Sequence, residues 1–269
     1  MNTTYARLLR KPRAEDDKYS RGVVGFVTGS EGYPGAAILG VTAAIRVGVG
    51  MVRYLGPQSV SNLLIEARPE VVLQSGRCQS WVVGSGISLE SAGEQAARIV
   101  ELAGQPGYLV VDAGALDLID FASCQATCVL TPHSGELSRL LGRLGSNLSR
   151  EQIDADREGA AKLAEALTGQ TILLKGHQNV LVSGAQVKVL PAAPASLATA
   201  GTGDVLAGVI GALIAANFDA LEREEFSLAE IVEGAAQLHS AAAASIEGPL
   251  AALDLANEIQ KIVWRSLEN

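Results

Sequence analysis

Short apolar runs recur along the chain, separated by longer segments that mix apolar and polar residues. The short runs favour buried β-strands, and the longer segments have the length and apolar spacing of helices. The predicted strands are 23–27, 51–55, 81–83, 108–111, 127–130 and 171–174, with an edge strand at 187–190. The predicted helices are 36–47, 89–103, 134–141, 150–167, 228–245 and 253–267. A further helix is predicted to begin near 202–204 and to continue through the apolar run 205–216.

Strands that alternate with helices predict a mostly parallel sheet with helices on both faces. In such sheets a ligand binds at the carboxyl ends of the strands. Several groups with possible chemistry directly follow predicted strands: the turn at Gly29, Gly84-Ser85-Gly86, Asp112, His133 with Glu136, and Lys175. We therefore expect these groups to meet along one edge of the sheet.

Composition limits the class of protein. The chain has 269 residues, a 48% hydrophobic fraction and 19% charged residues, which fits one α/β domain, residues 1–269, with a large core. A net charge of −8 and 4% aromatic residues argue against nucleic-acid binding. The longest apolar run, 205–216, is too short to span a bilayer, and no signal-peptide pattern is present. Three cysteines without zinc-site spacing indicate reduced thiols in a cytoplasmic protein.

The stretch Thr199-Ala200-Gly201-Thr202-Gly203-Asp204 joins a turn of small residues to the apolar run 205–216. Gly201 and Gly203 can adopt positive φ and let the backbone approach a ligand. A helix that begins here presents unpaired amides and the positive end of its dipole, which suits phosphate oxygens. Asp204 has two interpretations: a capping or first-turn carboxylate, or a catalytic base aimed at the hydroxyl of a second substrate.

The other candidate residues also have alternative roles. Asp112 could ligate a metal or hold a loop, and Glu136 could bind Mg²⁺ through water or complement a helix dipole. Lys175 ends an apolar strand and could clamp nucleotide phosphates, or could lie exposed in a hairpin. His133 lies in a turn of the predicted cleft, whereas His239 is expected to pack within its helix rather than act in catalysis.

Familiar nucleotide and hydrolase signatures are missing from the sequence. The glycine-rich turn after the first strand fails the dinucleotide-binding fingerprint, and no Gly-x-x-x-x-Gly-Lys-Ser/Thr occurs. No Gly-x-Ser-x-Gly nucleophile elbow occurs either. These absences argue against a Rossmann NAD site, a P-loop NTPase and an acyl-transfer hydrolase.

The segment 199–204 resembles the signature of the ribokinase-like superfamily, where the matching Asp is the base and the preceding amides form an anion hole. Further segments narrow the resemblance to the ADP-dependent NAD(P)H-hydrate dehydratase family: Gly35-Ala36-Ala37, Gly84-Ser85-Gly86, Thr131-Pro132-His133-Ser134-Gly135-Glu136 and Lys175-Gly176. The resemblance covers nearly the whole chain, from about Lys18 to the C-terminal helix. The resemblance implies a ribokinase-like three-layer α/β/α sandwich with a mostly parallel central sheet.

The same resemblance implies roles for individual residues. Asp204 would be catalytic, and the substrate, hydrated NADH or NADPH (NADHX or NADPHX), would contact Ala37, Gly86, His133 and Asp204. The nucleotide would contact Lys175, Gly176, His177, Gln178, Asn179, Gly201, Thr202 and Gly203. Glu136 would reach Mg²⁺ through water. The resemblance further implies ADP as the phosphoryl donor, a cytoplasmic homotetramer, and neither nucleic acid nor a membrane as partner.

The chain departs from the family pattern at three places. It has Gly84-Ser85-Gly86 where the family commonly has Gly-Pro-Gly, and Ala193-Pro194-Ala195 where Asn and Gly are frequent. It has Asp112-Ala113-Gly114 where the family has Asp-Ala-Asp, which removes a carboxylate and weakens the case for a metal ligand there. The epimerase domain fused to some relatives is absent, so the resemblance implies a stand-alone dehydratase.

The implied reaction is dehydration of the S-epimer of the hydrate. Asp204 would accept the proton of the ring hydroxyl while that oxygen attacks the terminal phosphoryl group of ADP; phosphate would then leave and restore NADH or NADPH, with AMP as the other product. Two alternatives stay open: a small-alcohol or vitamin kinase that uses ATP, and a nucleotide-binding regulatory protein without chemistry. Analysis of the products separates these alternatives.

Overall fold

One eight-stranded sheet crosses the computed structural model, which describes residues 3–88, 90 and 93–268. Its strands are β1 Val23–Val27, β2 Met51–Tyr54, β3 Ser80–Val83, β4 Tyr108–Val111, β5 Thr127–Leu130, β6 Thr171–Leu174, β7 Val180–Ser183 and β8 Gln186–Val189. They lie in the order β2-β1-β3-β4-β5-β6-β7-β8. All pairs as far as β6 are parallel, and β7 and β8 extend the sheet antiparallel at one edge.

Helices cover both faces of this sheet. They are α1 Thr4–Leu8, α2 Pro34–Val47, α3 Gln58–Ala67, α4 Gly93–Ala103, α5 Ala115–Leu118, α6 Ser134–Arg143, α7 Arg150–Ala155, α8 Arg157–Thr168, α9 Thr202–Ala216, α10 Phe218–Glu222, α11 Leu228–Ala244 and α12 Ala252–Glu268. One apolar cluster lies between the sheet and α2, α9, α11 and α12, and a second lies between the sheet and α4, α6 and α8. The predicted mostly parallel sheet between two helical layers is confirmed.

Several predicted elements differ from the structure. The single helix predicted at 150–167 is wrong, because Asp156 has a non-helical backbone (φ −135°, ψ 75°) that separates α7 from α8. The Asp156 side chain instead caps α8 by accepting a hydrogen bond from the Gly159 amide at 2.9 Å. The helix α3, which follows Pro57 and buries Val60 and Leu64, has no counterpart in the predicted elements. The predicted start of α4 falls partly on residues outside the described set.

The apolar helix α9 crosses the middle of the sheet. A Cβ at Gly211 would collide with Val82 and come within 3.2 Å of Val24, so α9 lies directly on β1 and β3. On the adjoining face of the helix, a Cβ at Gly208 would collide with the Gly40 carbonyl in α2. The glycines therefore let α9 pack closely against both the sheet and α2, and this close packing fixes the position of its first turn.

The carboxyl ends of the parallel strands lie along one edge of the sheet. The turns that follow these strands hold the predicted groups Gly29, Gly84-Ser85-Gly86, Asp112, His133 with Glu136, and Lys175. Backbone pairing continues into two of the turns, because the Lys175 amide donates to the Pro132 carbonyl at 2.8 Å. Among the described helices, none has both the length and the apolarity needed to cross a bilayer.

We predict that Gly208→Val lowers the free energy of unfolding by about 1–3 kcal/mol, because the added side chain forces α9 away from α2. Gly142→Val is the matched control, since a Cβ at Gly142 in α6 meets only the Asn147 side chain at 3.6 Å. The control should change stability by no more than about 0.5 kcal/mol. Chemical denaturation measures both variants, and equal stability of the two would contradict the tight α2–α9 packing.

Candidate active site

The first turn of α9 presents backbone amides without internal partners. No side chain caps this helix, and the described residues provide no acceptor for the amides of Gly203 and Asp204. Gly201 has φ 90°, and a Cβ there would lie 2.6 Å from Leu39 Cδ1, so only glycine fits this turn. The Thr202 hydroxyl donates toward the carbonyls of Leu197 (2.8 Å) and Thr199 (2.9 Å), which holds the preceding loop. The turn has the form of an anion-binding site.

Asp204 lies in this first turn and is not the N-cap. Its carboxyl is partly buried, and its pKa is raised to about 7. Burial is the largest cause; the negative charges of Asp112 and Glu136 add to it, and the positive charge of Lys175 opposes it. A carboxyl whose pKa lies near neutrality can accept a proton from a substrate hydroxyl, which fits the interpretation as a base.

Lys175 forms a buried ion pair behind this turn. Its Nζ lies 2.7 Å from Asp112 Oδ1 and 3.8 Å from Glu136 Oε2. A Cβ at Gly203 would lie 3.4 Å from the same nitrogen, so the ammonium group directly adjoins the α9 amides. Burial acts to lower the pKa of Lys175, but Asp112 and Glu136 outweigh it and the pKa is raised. Lys175 therefore stays charged beside the candidate anion site.

Asp112 connects the ends of several strands. It accepts hydrogen bonds from Ser85 Oγ at 2.8 Å and Thr131 Oγ1 at 2.7 Å, in addition to the ion pair with Lys175. Burial acts to raise the pKa of Asp112, but Lys175, Thr131 and Ser85 together hold it below its ordinary value. Of the two roles considered from the sequence, these contacts match the one in which Asp112 holds neighbouring loops.

His133 and Glu136 cap helix α6 reciprocally. His133 Nδ1 accepts from the amides of Gly135 (3.0 Å) and Glu136 (3.3 Å), and the His133 amide donates to Glu136 Oε2 at 2.8 Å. His133 Nε2 lies 3.4 Å from Glu136 Oε1. The His133 ring is exposed at the candidate site, whereas Glu136 is buried, so the histidine is the more open of the two to a ligand.

A magnesium ion fits this site only together with phosphate oxygens. Among residues 3–88, 90 and 93–268, no group of three His, Cys, Asp or Glu side chains is arranged to hold a metal. Both oxygens of Glu136 already face His133 or Lys175. Mg²⁺ commonly keeps several waters and takes one or two carboxylates plus substrate phosphates. A water-bridged contact from Glu136 to a nucleotide-bound Mg²⁺ is compatible with these donors.

A cavity of about 920 Å³ opens beside the first turn of α9. Its lining includes seven of the residues singled out from the sequence: His133, Lys175, Gly176, His177, Asn179, Thr202 and Gly203. Gln178 lines a separate hollow with residues of α7 and α8, and Gly201 and Asp204 are not among the residues that line the cavity. The size and backbone-rich lining suit a nucleotide, and binding by each of these residues stays a prediction.

The residues predicted for the nicotinamide side lie apart from this cavity. Ala37 is fully buried, and a Cβ at Gly29 would lie 3.0 Å from its methyl group. Gly86 has φ 69°, and a Cβ there would lie 2.6 Å from Ala36 and 3.0 Å from the Tyr33 carbonyl. These residues form the close contact between the turns after β1 and β3. A substrate contact at Ala37 or Gly86 stays a prediction.

Arg157, which the sequence analysis did not single out, fixes two of the site loops. Its Nη1 donates to Ser134 Oγ at 3.1 Å, and its Nη2 donates to the carbonyls of Leu174 (3.2 Å) and Lys175 (3.0 Å). A Cβ at Gly176 would lie 2.5 Å from Nη2, which explains the glycine at that position. A lone Arg at a helix start carries no sequence signal for such contacts, because all three partners lie at least 17 positions away.

His239 also lines the cavity and is buried on α11. Its Nε2 lies 2.9 Å from the Thr202 carbonyl in the first turn of α9. Burial lowers the pKa of His239 to about 4; the Thr202 bond opposes this effect, and the positive charge of Lys175 adds to it. The ring is therefore neutral at physiological pH. The sequence prediction of a packing role is correct for its burial but did not include this cavity.

Comparisons with known proteins bear on the family. A family model described as NAD(P)H-hydrate dehydratase matches residues 24–265. The bifunctional NAD(P)H-hydrate repair enzyme Nnr of Corynebacterium glutamicum is 38% identical over 262 residues, which cover 91% of this chain and 45% of that protein. The ADP-dependent (S)-NAD(P)H-hydrate dehydratase of Neisseria meningitidis is 34% identical over 224 residues, which cover 76% of this chain and 73% of that protein. The chain thus spans less than half the length of the bifunctional relative.

Solved structures share the fold. The ADP/ATP-dependent NAD(P)H-hydrate dehydratase from Bacillus subtilis, co-crystallized with ATP and Mg²⁺, has a TM-score of 0.80 at 26% identity over 98% of this chain and 96% of that chain. A ribokinase-like superfamily protein from Enterococcus faecalis has a TM-score of 0.81 at 22% identity, covers 99% and 95% of the two chains, and shows the fold alone. The predicted ribokinase-like sandwich is confirmed. With a family model that matches most of its length, the chain belongs to the NAD(P)H-hydrate dehydratase family.

Proposed function

We propose that this chain dehydrates the S-epimer of NADHX or NADPHX to NADH or NADPH, with ADP as phosphoryl donor and AMP and phosphate as the other products. The observation that carries the proposal is the partly buried Asp204, whose pKa is raised to about 7, at the amide-rich first turn of α9. The names of the Neisseria meningitidis and Bacillus subtilis relatives, which specify ADP or ADP/ATP dependence and NAD(P)H-hydrate dehydration, support the choice of reaction and nucleotide.

In the proposed first step Asp204 accepts the proton of the ring hydroxyl, and that oxygen attacks the terminal phosphoryl group of ADP. AMP leaves, and the free amides of Gly203 and Asp204 stabilise the charge on the transferred group. Lys175 adds positive charge beside Gly203 while it stays paired with Asp112. Mg²⁺ bound with the nucleotide would neutralise further phosphate charge, with Glu136 as its water-bridged contact.

The second step completes the loss of water and restores the dihydronicotinamide ring, with no change in its oxidation level. The lone pair of the ring nitrogen expels phosphate by breaking the carbon–oxygen bond, and a proton is lost from the neighbouring carbon. The hydroxyl oxygen thus leaves as part of phosphate. His133, which is exposed at the candidate site, would contact the substrate during this step, and Ala37 at the start of α2 and Gly86 in the turn after β3 would contact it as well.

The same proposal extends to organisation. We propose that residues 1–269 form one domain, which is supported by the single continuous sheet of the described residues.

We propose a homotetramer, supported by the exposed apolar side chains Leu253 and Trp264 on α12. A cytoplasmic location is supported by the three free cysteines. Light scattering on the purified protein measures the oligomeric state.

Asp204→Asn should fold and lose about 100-fold or more of the dehydration rate, because the amide cannot accept the hydroxyl proton. The assay follows recovery of the reduced-nicotinamide absorbance from NADHX with ADP, and product analysis identifies AMP and phosphate. Asp254→Asn is the matched control, since Asp254 is an exposed carboxylate in the first turn of α12. Near-normal turnover of Asp204→Asn would reject the base, and a stable phosphorylated product made from ATP would favour a kinase.

The same variant tests the raised pKa through stability. The pKa of Asp204 is about 7 in the folded chain against 3.8 for an ordinary Asp, so its stabilising contribution is complete below 3.8 and is lost as pH rises through about 7. Asn carries no charge, so Asp204→Asn should melt at a higher temperature than the wild type at about pH 8. This difference should shrink as the pH falls to about 4. A melting difference that does not depend on pH would contradict the raised pKa.

Arg157→Lys should raise the KM for ADP by about tenfold or more, because one ammonium group cannot hold Ser134 and the carbonyls of Leu174 and Lys175 together. A smaller effect is expected on kcat, since Asp204 and the α9 amides are untouched. Arg139→Lys is the control: Arg139 approaches Asp117 at 3.6 Å, is 58% exposed and is not among the residues that line the cavity. Equal KM values in the two variants would contradict a positioning role for Arg157.

A further inference from the structure

The three histidines of the chain, His133, His177 and His239, all line the same cavity. His133 and His177 are exposed, whereas His239 is only 5% exposed. A buried polar ring at a cavity wall is costly unless its nitrogens find partners. Both ring nitrogens of His239 are therefore expected to have hydrogen-bond partners.

The first nitrogen is fixed by the fold. A backbone carbonyl can only accept a hydrogen bond, so His239 Nε2 must carry the hydrogen that it donates to Thr202. In a neutral imidazole the other nitrogen, Nδ1, then has a bare lone pair. Among the described residues, the one hydrogen bond of the His239 ring uses Nε2, so Nδ1 makes none. The contact with α9 thus turns the second nitrogen into a pure acceptor.

The surroundings of His239 indicate which part of a ligand would meet this acceptor. Leu197, Ala198 and Leu206 line the same cavity, and the turn Ala195–Leu197 packs against α11. Lys175 and Gly203, the cationic and amide donors, line the same cavity near the first turn of α9, which His239 contacts through Thr202. A bare lone pair repels phosphate oxygens, so Nδ1, with these apolar side chains in the same lining, suits a nucleobase or ribose that offers an N–H or O–H group.

We propose that His239 Nδ1 accepts a hydrogen bond from the nucleoside part of the bound nucleotide, and that Thr202 holds the ring in the tautomer required for this contact. This inference rests on the proposed use of ADP. The contact requires a hydrogen-bond donor on the nucleoside, which the exocyclic amine of the base or a ribose hydroxyl can supply. Through the Thr202 carbonyl, the same ring contacts the turn whose amides would bind the phosphates.

Nitrogen-15 NMR of the histidine rings tests the proposal on the unmodified protein. With three histidines, spectra of His133→Gln and His177→Gln assign His239 by elimination. Without nucleotide, His239 should show the neutral tautomer with hydrogen on Nε2. Saturating ADP should move the Nδ1 resonance toward that of a hydrogen-bonded nitrogen, and inorganic pyrophosphate should not. An Nδ1 resonance that ADP leaves unchanged would overturn the proposal.

Calorimetry with nucleotide analogues identifies the donor. ADP is compared with 2′-deoxy-ADP, 3′-deoxy-ADP and purine riboside 5′-diphosphate, which lacks the exocyclic amine. The wild type should bind one of these about tenfold more weakly than ADP, and His239→Phe should lose that discrimination alone. Ser240→Ala, a neighbouring substitution on α11 away from the cavity, should keep it. Equal binding of all four nucleotides by the wild type, or unchanged discrimination in a folded His239→Phe, counts against the proposal.

These measurements separate this inference from the proposed reaction. If ADP shifts the Nδ1 resonance but NADHX is not restored, the assigned reaction fails and the nucleotide contact stands. If NADHX is restored with ADP but Nδ1 does not respond, the reaction stands and the His239 contact fails.

Discussion

The close packing of α9 against both the sheet and α2 is the constraint on which the site depends. Gly211 lies against Val82, and Gly208 lies against the Gly40 backbone, so neither helix can move without collision. This contact aims the first turn of α9 at the carboxyl ends of the strands. Every group proposed for chemistry is then defined relative to that turn: the free amides of Gly203 and Asp204, the carboxylate of Asp204, and the neighbouring ammonium of Lys175.

The electrostatics of the site follow from one cation placed among three carboxylates. Lys175 makes its shortest contact with Asp112, at 2.7 Å, and lies 3.8 Å from Glu136. Asp112 also receives the hydroxyls of Ser85 and Thr131, so it is stabilised as an anion. Asp204 makes none of these contacts and is repelled by Asp112 and Glu136, which helps to raise its pKa. Two carboxylates of the same site thus differ in proton affinity because only one of them has its own partners.

The sequence predicted the parallel strands, the helical layers and the edge at which the candidate residues meet, because these depend on local apolar runs and chain order. It did not predict the break at Asp156, where a side-chain cap competes with a continuous helix. It also did not identify Arg157 or His239 as site residues. Arg157 contacts Lys175 and His239 contacts Thr202, and each contact joins segments that are distant along the chain. No short sequence pattern predicts such contacts.

The cavity wall between Ala193 and Thr199 is tied to the fold mainly through backbone groups. The Ala193 amide donates to the His177 carbonyl at 2.8 Å, and the Leu197 carbonyl accepts from the Thr202 hydroxyl at 2.8 Å. Side chains at 193–195 do not make these bonds. Substitutions there can therefore change the lining of this wall while the first turn of α9 keeps its shape.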